Sequence, residues 1–298
     1  MVCDMDQAQS LREYMQRYQV KENYHQPARI ITITSGKGGV GKSNFTINFA
    51  LALKAAGKKV VVMDLDLSTA NIDILMGTSS KYCLADVLHQ RKYLLDCIEV
   101  GSGGINYIAG GLEIQDLIEL DLKSLDFFMN QIQELQSYAD FILLDTGAGI
   151  SKELVEFILA SDETILVTTP EPTSVADSYA VIKTVHHLAI KPPIFRLVIN
   201  RAQTYREAAE TSRTLKNACS VFLKTKINSL GFLMEDVHVQ KAVRAQTPFY
   251  LTYPNCEASK NINQILYTFL PDMDKVSAPS SNGIRGFFEK IMSLRKSN

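Results

Sequence analysis

The chain has 298 residues, 46% of them hydrophobic, and carries 31 basic against 32 acidic side chains for a net charge of −1. That supplies one large α/β domain with a full core, and a charge so near zero gives no general drive toward nucleic acid. No signal-peptide pattern opens the sequence and no run of about 18 apolar residues could span a bilayer, so the expected location is cytoplasmic, at most peripheral on the inner face of the cell membrane.

Taken in chain order, Ala8, Leu11 and Met15 fall at helical spacing with Asp6 at the start, which predicts a short N-terminal helix. Isolated helices this short are marginal in water, so the segment would order on a partner. Pro27 marks the junction to the domain. Buried strands are expected at Ile30–Thr34, Val60–Asp64, Ile105–Ala109, Phe141–Asp145, Glu163–Thr168, Ile194–Asn200 and Gly231–Met234. Helical patterns fall between most of them, the first being Asn44–Leu53, ending near Gly57. Alternating strands and helices imply an α/β fold, a P-loop NTPase architecture with a mostly parallel twisted sheet and helices on both faces. The polar run from Pro271 to Asn282 reads as a linker. Ile284, Phe287, Phe288, Ile291 and Leu294 then recur every three or four residues among Arg285, Lys290, Arg295 and Lys296, giving a basic amphipathic helix. Such a helix either lies on a membrane of anionic lipids or docks on its own domain, and the two can be successive states of one switch. The expected divisions are residues 1–26, 27–270, 271–283 and 284–298.

The chemistry concentrates between the first strand and the first helix. Gly36-Lys37-Gly38-Gly39-Val40-Gly41-Lys42-Ser43, followed by Asn44, fits G-x-x-x-x-G-K-[ST] in the strand–loop–helix context that confirms it. Glycines let backbone N–H groups close around phosphate oxygens, and the helix N-terminus adds a positive potential. Lys42 would bridge the β- and γ-phosphates of a nucleotide such as ATP, and Ser43 would ligate Mg²⁺. Lys37 is badly placed for its own phosphates and well placed for those of a facing subunit. Ligands sit at the carboxyl ends of parallel strands, where Asp64, Asp66 and Asp145 fall. Asp145 fits the Mg²⁺-orienting carboxylate, Asp64 could share that duty, and Asp66 could hold the attacking water. The alternative for each is capping of the following helix. The five cysteines, Cys3, Cys83, Cys97, Cys219 and Cys256, form no C-x-x-C, which argues against disulfides and against an iron–sulfur carrier. The histidines lack metal-ligand spacing.

Lys37 to Ser43, with the run from Asp64 to Gly77, resembles the MinD/ParA class of deviant Walker-type ATPases. Asp145-Thr146-Gly147-Ala148-Gly149 resembles that family's second switch. Leu197 to Arg201 resembles its adenine-recognition strand, with Asn200 and Arg201 at the base. Leu230 to Asp236 and Val243-Arg244-Ala245 resemble its late loop and helix, except that Met234 stands where proline is frequent. The resemblance implies an ATPase that forms ADP and phosphate. It also implies a monomer with ADP and a homodimer with ATP, in which Lys37 contacts the partner's phosphates.

Asp6 to Arg12 matches D-Q-A-x-x-L-R, the N-terminal signature of the FlhG (FleN, YlxH) family of flagellar number regulators. That resemblance implies stimulation of an FlhF-type GTPase through Asp6, Gln7, Leu11 and Arg12, with Gln7 presented to the partner's nucleotide. It also implies flagellar C-ring partners such as FliM and FliN/FliY. The alternatives are a MinD-type division-site regulator, which does not need the N-terminal segment, and a ParA-type segregation ATPase. The latter would need a DNA-binding patch drawn from residues such as Arg196, Arg201, Arg206, Arg213, Lys216, Lys224 and Lys226. A metabolic P-loop enzyme is disfavoured by Lys37.

Overall fold

Ile30, Ile31, Thr32, Ile33 and Thr34 are β-branched and buried along a strand covered on both faces, which is where such side chains pack best. A computed structural model describes residues 27–66, 71–110, 122–190, 192–273 and 283–296. The N-terminal expectations, including those for Asp6, Gln7, Leu11 and Arg12, lie outside the described residues. The first half of the domain runs β1 (Arg29–Ser35), α1 (Lys42–Ala55), β2 (Val60–Leu65), α2 (Asn71–Met76), α3 (Leu84–Leu88), β3 (Ile98–Val100), β4 (Asn106–Ile108) and α4 (Leu122–Tyr138). There follow β5 (Phe141–Ala148), α5 (Lys152–Ala160), β6 (Glu163–Thr168), α6 (Pro172–Leu188), β7 (Phe195–Ala202), α7 (Tyr205–Leu223) and β8 (Asn228–Met234). The chain closes with α8 (Val237–Arg244), α9 (Phe249–Thr252), α10 (Glu257–Met273) and α11 (Gly283–Lys296).

Eight strands form one sheet in the order β3-β4-β2-β5-β1-β6-β7-β8. All pairs are parallel except β3 with β4. The sheet thus has a carboxyl edge, where the parallel strands end, and an amino edge, where they begin. Registers bring Ile33 of β1 and Asp64 of β2 level with Asp145 of β5. The starts of α5 and α7 are capped by side chains: Ser151 Oγ accepts from Leu154 N and Thr204 Oγ1 from Glu207 N.

One core joins α1 and α10 to the sheet through Phe45, Phe49 and Phe269, and a second lies under α6 and α7. The remaining core, on the face of α4, contains the apolar side of α11. Phe287 stacks on Phe157 of α5 at 6.0 Å, and Phe288 meets Phe128 of α4 edge-on at 5.4 Å. Ile284, Phe287, Phe288 and Ile291 are buried, and Leu294 is half-buried. Arg285 fastens the outer side by donating to Gln133 Oε1 at 2.9 Å. Of the two fates open to this helix, the structure shows the docked one: its apolar face is covered by protein.

Two features depart from the sequence expectation. β3 went unread because it is three residues long and only partly covered, so no alternation can build up. α10 carries its last turn through Pro271 to Met273, inside the stretch read as linker.

Large-to-small changes in such a core cost about 3–5 kcal/mol. Phe288→Ala is therefore expected to speed amide exchange throughout α11 while leaving β5 protected, because the loss falls on local undocking. Hydrogen-exchange mass spectrometry checks this.

Candidate functional site

The loop between β1 and α1 is shaped by two close approaches. A Cβ on Gly36 would lie 2.4 Å from the backbone of Asp177 and Ser178, so α6 can pack here only against glycine. Gly41 sits at φ 92, a left-handed conformation that L side chains rarely adopt, and its absent Cβ leaves room for Asn200. The turn at Gly41 points Lys42 inward as α1 begins.

Lys42 is 6% exposed and Asp145 not at all; Lys42 Nζ donates to Asp145 Oδ1 at 2.9 Å and to Ser43 Oγ at 3.2 Å. Thr46, one turn beyond Lys42, also donates to Asp145 Oδ1, at 2.9 Å. Asp145 Oδ2 is buried with no hydrogen-bond partner among the described residues. Asp64 stands beside it across the sheet, accepting from Asp66 N at 3.0 Å. Burial first, and then the charge of Asp145, push the Asp64 carboxyl up to about 7. Asp66 is half-buried at the end of β2, facing Gly147: a Cβ there would lie 3.8 Å from Asp66 Oδ1. The structure therefore brings Lys42, Ser43, Asp64, Asp66 and Asp145 together at the carboxyl edge.

Lys37 turns away from this group. Its Nζ donates to Glu171 Oε2 at 2.9 Å and Thr173 Oγ1 at 3.2 Å, at the exposed start of α6.

Asn200 clamps the loop, Nδ2 donating to Val40 O at 2.7 Å. It also lines a cleft of about 370 Å³ together with Gly41, Asn44, Phe45, Arg201 and a wall from Leu233 to Asp236. Val239, Val243 and Phe249 close the apolar side. Met234 N donates to the buried Asn261 Oδ1 at 3.0 Å, a bond that proline could not make. Asp236 caps α8, accepting from His238 N at 2.8 Å and Ala258 N at 3.2 Å. Backbone and side-chain donors outweigh its burial and hold it at about 2.

Sequence reading did not find Thr46, Glu171, or Val239, Gln240 and Phe249 in the cleft wall. Thr46 had a usable signal, since i and i+4 share a helix face. Of the residues offered for a DNA surface, Arg196 is excluded: it is buried and paired with Glu163, beside Arg29. Among the described residues no His/Cys/Asp/Glu group of three could by itself hold a metal, and the described cysteines are free.

Parallel sheet, glycine loop and buried lysine–carboxylate pair together define a P-loop NTPase. The family model described as ParA, NUBPL iron-transfer P-loop NTPase, matches residues 26–270, and the chain belongs to this ParA/MinD-type family. Within it, the chain resembles the flagellar regulators. It is 34% identical to the antiactivator FleN of Pseudomonas aeruginosa, over 78% of this chain and 83% of that one. It is 32% identical to the flagellum site-determining protein YlxH of Helicobacter pylori, over 89% and 90%. Among solved structures, it is similar to the septum site-determining protein MinD with Mg-ADP from Pyrococcus horikoshii OT3, at TM-score 0.65 and 25% identity over 83% of this chain and 98% of that one.

The raised Asp64 group sets a pH dependence. Between 3.8 and about 7 the folded chain keeps a proton that the unfolded chain has released, so stability falls as pH rises through that window and levels off above it. Asp64→Asn cannot ionise. Without nucleotide it is expected to resist urea better than the unaltered chain at pH 8 and to lose that advantage by pH 4.

Proposed function

We propose that the chain is an ATP-hydrolysing regulator of flagellar placement and number, which cycles between monomer and ATP-bound homodimer and between cytoplasm and membrane, and whose N-terminal segment stimulates an FlhF-type GTPase. The observation that carries this reading is the run Asp6 to Arg12 ahead of an ATPase domain similar to FleN and YlxH. A MinD-type core would not need that run.

The residues fit a nucleotide with Mg²⁺. A buried lysine, glycines that leave the loop backbone open and an orphaned buried carboxylate oxygen form a cradle for phosphate and cation. Ser43, Asp64 and Asp145 would hold Mg²⁺, which when bound neutralises phosphate charge. Lys42 exchanges its pairing with Asp145 for the β- and γ-phosphates. Gly36 to Asn44 line the phosphates, and Asn200 and Arg201 take the base side of the cleft. Asp66 orients the water that attacks the γ-phosphorus, and its role is positional. Lys37 leaves Glu171 for the phosphates of a second copy; an exposed ion pair holds by about 0–1 kcal/mol, so dimerisation easily displaces it.

Gln7 would enter the partner GTPase and orient its water, supported by Asp6, Leu11 and Arg12. The basic face of α11 would meet anionic lipids once the helix leaves its groove, with Ile284, Phe287, Phe288, Ile291 and Leu294 inserted. Pairing in the dimer supplies two such helices and a high effective concentration. FliM and FliN/FliY are the C-ring partners implied by the same resemblance.

Asp66→Ala is expected to slow ATP turnover by about 10²-fold or more while ATP-dependent dimerisation, read by light scattering, persists. For the GTPase role, the full chain should accelerate GTP hydrolysis by FlhF, and Gln7→Ala should remove the acceleration without changing ATP turnover. No acceleration by the unaltered chain would leave a MinD-type division-site regulator as the better reading.

A further inference from the structure

α6 and α7 both run from the carboxyl edge to the amino edge of the sheet, and their ends are tied together. Thr225, just past α7, shares a hydrogen bond of 3.0 Å with His186 Nδ1 of α6. Around this junction the chain exposes large apolar side chains. Ile190 is fully exposed, Phe222 is 73% exposed, and Leu188 and Val221 are more than half exposed. Exposed Lys183, His187, Lys224 and Lys226 come from the same two helix ends. Single exposed apolar residues are ordinary, but four on two joined helix ends form a patch that calls for a partner.

The charge around the patch is predominantly basic, and the acid that shares a groove with Phe222, Glu210, is paired with Arg206 at 2.9 Å. No Asp or Glu occurs from 178 to 206 or from 211 to 234. Three acids at the same edge are already engaged: Asp140 Oδ2 accepts from Lys59 N and Asp162 Oδ2 from Ile30 N, each at 2.8 Å, and Glu163 lies buried between Arg29 and Arg196. Lysines at helix C-termini are also favourable for the helix itself, so charge alone would mean little. The conjunction with exposed Ile190 and Phe222 is what helix termini do not explain.

We infer that this patch is a second membrane contact: a basic, apolar-tipped surface that seats on an anionic lipid headgroup layer. A nucleic-acid surface needs donors and cations but gains nothing from exposed isoleucine and phenylalanine. A second copy of the patch would be repelled by its own charge. Position agrees with lipid. Phe269, near the end of α10, packs on Phe141 at the start of β5, so the chain leaves its last domain helix at this amino edge. α11 is docked close by, beside Ala28 and Ile30. A membrane facing this edge meets the patch and the tail together. The inference adds to the membrane reading of α11 and stands without it, because the patch is exposed while the helix is docked.

The test is co-sedimentation of the full chain, without nucleotide, with vesicles of phosphatidylcholine alone or with added phosphatidylglycerol. The unaltered chain is expected to bind only the anionic vesicles. Ile190→Ser with Phe222→Ser should weaken that binding about tenfold or more. Lys224→Ser with Lys226→Ser should weaken it by a similar factor. Both variants lie far from the nucleotide cleft and should keep ATP turnover in solution. Undiminished binding by the apolar double variant would overturn the inference. Retention of DNA with no vesicle binding would also overturn it. Binding that appears only with ATP and is lost only in a Phe287→Glu variant would overturn it too, leaving α11 as the sole anchor and the membrane reading intact.

Discussion

Two opposite charges, Lys42 and Asp145, are held together out of water, and the carboxyl edge of the sheet is organised around that pairing. A buried pair is tolerable only with good geometry and supporting hydrogen bonds. The sheet supplies the geometry by setting β1 beside β5, and Gly41 supplies the turn that aims Lys42 down the axis between them. Thr46 adds a donor on the same carboxylate oxygen. A second carboxylate in this space is one negative charge too many for one lysine. Burial first, and then this excess charge from Asp145 beside it, raise the Asp64 carboxyl to about 7. An incoming cation would relieve that excess, whereas an incoming anion alone would compete for the lysine.

What the sequence revealed tracks how local each signal was. The phosphate loop was legible because its glycines, lysine and hydroxyl are consecutive and bracketed by a strand and a helix pattern. Asp64 and Asp145 were legible because buried parallel strands announce their own carboxyl ends. Asn200 was read as a base contact and does line the cleft, but its bond to Val40 O reaches across 160 positions of chain that no local pattern spans. Glu171 was invisible for the same reason: nothing near it says that Lys37 lies opposite. Met234 stands where the family often has proline, and its N–H is bonded to Asn261, a partner 27 positions away that no local pattern announces.

The amphipathic tail marks a different limit. Periodicity states that a helix has an apolar face and is silent about what covers it. Protein and lipid satisfy Phe287 and Phe288 equally, and only the placement of Phe157 and Phe128 shows which does so here. Arg196 is the charged counterpart: a basic residue counted toward the surface is buried against Glu163, because a charge on a strand goes where the strand goes.

α5 reaches both ends of this arrangement. Its cap, Ser151, stands three residues past the end of β5, the strand that carries Asp145, and its last turn carries the Phe157 ring beneath Phe287. Nine residues of helix are about 13 Å of rod, with no proline or glycine at which to bend. Such a rod transmits position instead of absorbing it. A shift of the loop after Asp145 by even one ångström would therefore arrive almost undiminished at the floor on which the tail helix rests.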